Sequence, residues 1–331
     1  MKQPVSFQQA IQHFSDPDVA LAYMIRLRWP DGVVTCPTCD RKDPVFLRNQ
    51  RKWQCKSVHP KRQFSAKVGT IFEDSPIAID KWLVAVWMLS NCRNGVSSYE
   101  LARTIGVTQK SAWFMLHRIR VAMKAGSFKI GGGSGPVEVD ETFVGPKARF
   151  MHKKRLAKAR AAQGLAVIPS ENPYAAKTVV MGMLDRDTRQ VRASVIPNVK
   201  RSTLQDQILN SIKGGATVYT DELPAYKSIL ADKFAHEFVN HMNTYVKGQV
   251  HTNGIENFWS CLKRSLRGTY VAVEPFHLDR YVDEQVFRFN NRKDGEFTVS
   301  DAERFDRAMH LVMGKRLTYE ELTGKLTPTQ A

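Results

Sequence analysis

From residue 137 onward the chain alternates strand-like with helix-like runs, and that order restricts the fold more than any other feature. VEVDETFV, TVVMGMLD, QVRASVIP, ATVYT and AHEFVN have the character of strands. STLQDQILNSI, ELPAYKSILA and IENFWSCLKRSL place their apolar residues at helical spacing. Strands alternating with helices bury their apolar sides best as one sheet with helices packed on it, so an α/β domain is predicted. GGGSG, within 126–136, marks a flexible linker or wide turn ahead of that domain. Residues 79–124 read as helical with breaks at Asn94-Gly95 and at Gly106, and residues 7–28 as one or two further helices.

The stretch from Val33 to about Ser75 is different. Its short β-like pieces are poor in apolar residues, too poor to fold unaided, and three of the chain's five cysteines crowd into it. Cys36-Pro-Thr-Cys39 is a knuckle able to grip one Zn²⁺, and Cys55 with His59 supplies two further donors. A Cys₃His site of Cys36, Cys39, Cys55 and His59, holding one structural zinc ion, is predicted. Cys92 and Cys261 lie in apolar helical patterns and read as small buried hydrophobes.

A formal net charge of +17 points to a polyanionic partner, nucleic acid above all. No apolar run approaches the length of a membrane span or resembles a signal peptide, which places the expected home in the cytoplasm, without membrane contact. Within SSYELARTIGVTQKSAWFMLHRIRVAM, two short apolar stripes flank Gly106, the grammar of a helix-turn-helix. Thr108 would cap the second helix and set Gln109, Lys110 and Ser111 where such motifs address the major groove. A helical bundle with no DNA role has the same stripes. His117, Arg118 and Arg120 read as phosphate contacts or as a solvated face. The run from Lys147 to Arg160, with Lys153, Lys154 and Arg155 at its centre, contains no acid and favours phosphate contact.

Three carboxylates stand at element ends: Asp140 in VEVDETFVG, Asp221 after TVYT, and Glu256 in the helix-like HTNGIENFWSCLKRSLRG. Oxygen donors drawn from distant segments can hold a pair of divalent cations, the equipment of phosphoryl transfer. Alternation puts Glu138, Asp140 and Thr142 on one strand face. Glu256, Ser260, Lys263 and Arg267 share the polar side of their helix, which suits Lys263 to a phosphate near the ions. Each acid also has an ordinary reading: an exposed strand face for Asp140, a helix cap for Asp221, a solvated ion pair for Glu256. Glu138, Glu141, Glu222, Asp185 and Asp187 are alternative acids.

CPTC with WQCKSVHPKRQFSAKVGTIFEDSPI, then VEVDETFVG, TVYTDELPAY and HTNGIENFWSCLKRSLRGTY together resemble the bacterial insertion-sequence transposases that join an N-terminal zinc ribbon to a DDE catalytic domain. The likeness spans about residues 15–295. It includes the 34 residues between Asp221 and Glu256 and the basic residue seven beyond that glutamate. The resemblance implies an RNase H-like mixed sheet flanked by helices, preceded by a small zinc-ribbon β module and a helix-turn-helix region. It also implies Asp140, Asp221 and Glu256 as ligands of two Mg²⁺ or Mn²⁺ ions, with Lys263 on DNA beside the reacting phosphate; Arg267, on the same polar helix side, is a further expected DNA contact. Val58-His59 departs from the commoner four-cysteine ribbon.

The expected organisation is a helical arm (1–31), zinc ribbon (32–75), helix-turn-helix region (76–127), linker (128–135), catalytic domain (136–300) and helical tail (301–331). The expected activity is cleavage and strand transfer at the terminal inverted repeats of a mobile element. Expected partners are double-stranded DNA, both transposon ends and target, and at least one further copy of the chain in a nucleoid-associated assembly. A cut-only nuclease and an inactive DNA-binding regulator are the alternatives.

Overall fold

The structure is a computed structural model of the 331-residue chain and describes residues 4–124, 126, 128–145, 154, 157, 177–221, 234–239 and 251–325. It divides into two compact units, Met1–Lys124 with Asn291–Ala331, and Ala125–Asn290. Among the described residues no helix is long and apolar enough to cross a membrane.

The first unit opens with α1 (Phe7–Phe14) and α2 (Pro17–Arg28). Both carry local start signals: Ser6 accepts from the Gln9 N–H, and Asp16 accepts from the Asp18 N–H ahead of a proline at the first helical position. Three strands of two or three residues follow, β1 (Val45–Leu47), β2 (Lys52–Gln54) and β3 (Gln63–Phe64), in one antiparallel sheet. Trp53, set between Trp29 and Phe64, makes up much of its slender core.

Helix α3 (Ile79–Asn91) is buried from Trp82 to Ser90. The tail returns to it: the helix Asp301–His310, started by a Ser300–Glu303 capping box, sets Phe305 against Trp87 and Phe14. The predicted helix pair is α4 (Ser98–Ile105) and α5 (Gln109–Met123). Gly106 supplies the left-handed residue of the turn at φ 62°, and Thr108 accepts from the Ser111 N–H.

On α5, His117, Arg118 and Arg120 are buried, so neither phosphate contact nor a solvated face describes them. The Arg118 guanidinium donates to the carbonyls of Ile71, Glu73 and Leu317, tying the helix to two distant loops. A helical repeat cannot report such a role, because only the closing loops reveal the acceptors.

The second unit is built on a five-stranded mixed sheet of β4 (Val137–Val144), β5 (Thr178–Asp185), β6 (Val191–Ile196), β7 (Thr217–Asp221) and β8 (Ala235–Val239), in the order β6-β5-β4-β7-β8. β4, β5 and β6 form an antiparallel meander, while β7 runs parallel to β4 and β8 parallel to β7. This is the RNase H-like arrangement expected. On one face Val137, Val139, Met181 and Met183 pack with Leu204 and Ile208 of α6 (Arg201–Ser211). On the other, Val180 and Leu184 pack with Ile255, Phe258, Trp259 and Leu262 of α7 (Asn253–Ser265) and with Val282, Val286 and Phe289 of α8 (Leu278–Asn290).

The glycine-rich stretch is bonded to its surroundings. Ile130 bridges Ile212, Gly131 donates to Asp185, and Gly135 donates to Asp187.

Replacing Arg118 by Met leaves three carbonyls without their charged donor and is expected to cost roughly 3 kcal/mol in a urea titration. The salt dependence of DNA binding should keep its wild-type slope, since this cation has no route to a phosphate.

Candidate active site and zinc ribbon

In the first unit the four predicted zinc donors converge. The Sγ atoms of Cys36, Cys39 and Cys55 and a ring nitrogen of His59 all lie within 4.8 Å of one another. Cys36 Sγ is 3.5 Å from His59 Nε2, and Cys39 Sγ is 3.5 Å from Cys55 Sγ. A tetrahedron with zinc–sulfur bonds of ~2.3 Å has edges of ~3.7 Å, so the cage is the size the ion requires.

Backbone turns build it. Asp40 N–H bonds back to the Cys36 carbonyl with Asp40 at φ 55°, and Cys55 N–H bonds across to Arg62. His59 Nδ1 faces the Pro60 carbonyl at 2.7 Å, an acceptor that holds the proton on Nδ1 and turns Nε2 toward the thiols. The backbone N–H of Arg41 leads the influences that bring the Cys39 thiol down to about 7, toward the thiolate that a metal binds. The donor set fits one structural zinc ion. Cys92, in contrast, is exposed at the end of α3 and Cys261 is half-buried, because each falls off the fully covered side of its helix.

In the second unit Asp140 lies on β4, half-buried, on the face covered by α7. Its Oδ2 accepts from the indole Nε1 of Trp259 at 2.9 Å. The indole reaches it across Gly182, the cross-strand partner of Asp140. A Cβ at Gly182 would stand 2.5 Å from the ring, so only glycine leaves the passage open.

Glu256, in the first turn of α7, is exposed and accepts from the Thr252 hydroxyl at 3.2 Å. Lys263 is half-buried two turns on. Burial, then the neighbouring Arg267, lowers its ammonium pKa, and Asp140 acts in the opposite direction. Arg267 is exposed in the wider turn Leu266–Tyr270, where the α-helical spacing of the polar side no longer holds.

Asp221 is the last residue of β7, and its side chain lies outside the described residues. The parallel register pairs Glu138 with Tyr219, and two residues further along each strand come Asp140 and Asp221. Two acids thus occupy equivalent stations on neighbouring strands, and Trp259 joins the first of them to the helix of Glu256.

The groups expected to read DNA are more dispersed. Gln109 donates to Ser98, Ser111 is held by Thr108, and the Lys110 ammonium sits 4.9 Å over the Tyr319 ring. Lys154 is exposed, whereas Lys153 and Arg155 lie outside the described residues.

Among the alternative acids, Asp185 is buried and accepts from the N–H groups of Gly131, Asp187 and Thr188, the work of a turn. Asp187 accepts from the Gly135 N–H, Glu138 of β4 is buried against the start of α7, where it accepts from the Ile255 N–H, and Glu222 lies outside the described residues. Trp259 and Gly182 escaped sequence reasoning because the indole fits the apolar stripe of α7. The isolated glycine inside TVVMGMLD was the available signal of a close approach.

Two outcomes follow. Purified protein should carry one zinc per chain by elemental analysis, and Cys55→Ser should lower that stoichiometry to near zero and unfold the ribbon. Gly182→Ala should displace the indole, cost about 1–3 kcal/mol in thermal melts and quench-shift the Trp259 fluorescence.

Residues 133–290 match the family model described as the ISXO2-like transposase domain, and residues 15–57 match the transposase zinc-ribbon domain. A protein in the transposable element ISH50 of Halobacterium salinarum is 29% identical over 261 residues, covering 77% of this chain and 85% of its own length. A transposase-like protein of Haemophilus influenzae is 33% identical over 102 residues, covering 31% of this chain and 82% of its own length. Among solved structures, a simian T-cell lymphotropic virus intasome in complex with PP2A regulatory subunit B56 gamma aligns over 61% of this chain and 65% of that one. The identity is 15% and the TM-score 0.27. With a ribbon whose donors close on a zinc-sized cage and a mixed sheet that aligns two acids on parallel strands, the chain belongs to the insertion-sequence transposases that carry an ISXO2-like transposase domain behind a zinc ribbon.

Proposed function

We propose that this transposase recognises the terminal inverted repeats of its element and, in one metal-dependent site, cuts DNA and then joins the freed end to target DNA. The observation that carries the reading is the equivalent placement of Asp140 and Asp221 on paired parallel strands, with the helix of Glu256 bonded to Asp140 through Trp259. Asp140, Asp221 and Glu256 are assigned as ligands of two Mg²⁺ or Mn²⁺ ions. Carboxylate oxygens from separate elements are the donor chemistry that such hard cations take. When bound, the ions supply activation of the attacking oxygen and stabilisation of the leaving one at phosphorus.

The chain's own groups do the rest. Trp259 donates to one oxygen of Asp140 and so orients its carboxylate. Lys263, half-withdrawn from water, offers an ammonium to a phosphate oxygen beside the acids. Arg267, exposed one turn further, meets the backbone beyond it. Water serves as nucleophile for cleavage, and the released 3′-hydroxyl for joining.

Positioning on the element's ends is assigned to the zinc ribbon and to the start of α5, with Gln109, Lys110 and Ser111 nearest the groove. The basic stretch around Lys153, Lys154 and Arg155 contributes phosphate contacts. Two ends must meet for joining, so the working form is a homodimer or larger assembly on DNA, in the cytoplasm and associated with the nucleoid.

The test uses linear DNA bearing the repeats that flank the gene, with Mg²⁺, and maps the cut ends. Asp140→Asn, Asp221→Asn and Glu256→Gln should each reduce cleavage by about 10³-fold or more while leaving DNA binding near the wild-type level. Pre-cut ends should be joined to target by the wild type. Cleavage without joining would instead establish a cut-only nuclease, and binding without either a regulator.

A further inference from the structure

We infer that Glu138, Arg186 and Tyr219 are positioning residues that hold the helix bearing Glu256 at one fixed setting over the strands bearing Asp140 and Asp221. The inference rests on the metal-site reading of those three acids given above. It concerns a layer of side chains immediately beneath them.

A helix leaves its first four N–H groups without internal partners, and a residue just ahead of it ordinarily takes one of them. At α7 that residue is Thr252, and it makes no cap: its hydroxyl goes to Glu256 instead. The Ile255 N–H is satisfied from 117 residues away, by Glu138 Oε2 at 2.8 Å. The approach is as close as a backbone permits, since a Cβ on Gly254 would stand 2.8 Å from the same oxygen. A carboxylate also suits the positive end of the helix dipole. The cap of α7 is therefore also its tether to β4.

Glu138 is 1% exposed, and burial of a carboxylate is costly unless a donor of opposite charge is paired with it. Arg186, just beyond β5, supplies that charge through Nε at 2.6 Å. The same guanidinium donates to the carbonyl of His251 at 2.7 Å and to its Nδ1 at 2.7 Å, and so fixes the loop that enters α7. Its flat face lies 4.9 Å from the centre of the Tyr219 ring.

Glu138 and Tyr219 are cross-strand partners, and each stands two residues before an acid of the site. One layer of contacts thus joins β4, β7 and the start of α7, the three elements that carry Asp140, Asp221 and Glu256. Carboxylates brought together without cations repel one another, and the relief available is movement of the helix. The tether opposes that movement.

The test is titration of Mn²⁺ into zinc-loaded, full-length protein, with bound ion read by electron paramagnetic resonance and folding followed by circular dichroism on the same samples. Wild type should bind Mn²⁺ and Asp140→Asn should lose it. Glu138→Gln, which keeps an acceptor for Ile255 but not the charge, and Arg186→Lys, which keeps the charge but not the fork, should each weaken binding about tenfold at equal folded fraction. Excess Mn²⁺ should restore DNA cleavage in these two variants and not in Asp140→Asn. Should Glu138→Gln melt below the assay temperature, Arg186→Lys alone decides.

Wild-type Mn²⁺ affinity in both positioning variants, with binding lost in Asp140→Asn, would overturn this inference and leave the metal-site reading standing. A lowered melting temperature without weaker Mn²⁺ binding would overturn it equally. Full Mn²⁺ binding in Asp140→Asn would remove the metal-site reading and this inference together.

Discussion

The parallel pairing of β4 with β7 is the constraint on which the second unit depends. A parallel pair cannot be closed by a tight turn, so the chain between the two strands must travel out and back. The excursion includes β5 and β6, which extend the sheet beyond β4, and α6, which packs on one of its faces. The opposite face then receives α7 and α8. Because the side chains of a strand alternate, the register that pairs Glu138 with Tyr219 also sets the level of Asp140 relative to Asp221. A slip of one residue in β7 would bring Asp221 to the register position that belongs to the opposite face of the sheet from Asp140.

The ribbon answers a different shortage. Strands of two or three residues with a few aromatic rings bury too little apolar surface to remain folded, and four metal ligands supply what the core does not. The first unit thereafter draws on helices, with α3 almost wholly covered and the tail helix Asp301–His310 set against it. Arg118 shows how the loops are secured there: one cation, removed from solvent, closes three backbone carbonyls.

Much of this was legible in the residues, for reasons that differ from place to place. The strands of the second unit were legible because their apolar runs end at turn residues, and α4 and α5 because Gly106 and Thr108 are a stop and a start in the right order. The zinc donors were legible because thiols with knuckle spacing in an apolar-poor segment have few other uses. What escaped were residues whose role depends on a partner far along the chain. Trp259 looked like one more apolar position on α7, and its indole N–H acquires meaning only when β4 arrives. Arg118 and His117 looked like surface residues because a helical repeat reports one covering neighbour, whereas α5 has several. Glu138 was weighed as a competitor of Asp140, and its burial against Ile255 and Arg186 gives it a separate place.

The borrowed cap of α7 has a bearing on how the molecule comes into being. A helix short of a local start signal is slow to nucleate alone, and this one finds its missing acceptor on a strand laid down more than a hundred residues earlier. Glu138 precedes both of its partners in the chain, Arg186 on one oxygen and the Ile255 N–H on the other, and the helix contact is the one made by the later residue. The setting of α7 is therefore completed late, after the strands on which it rests.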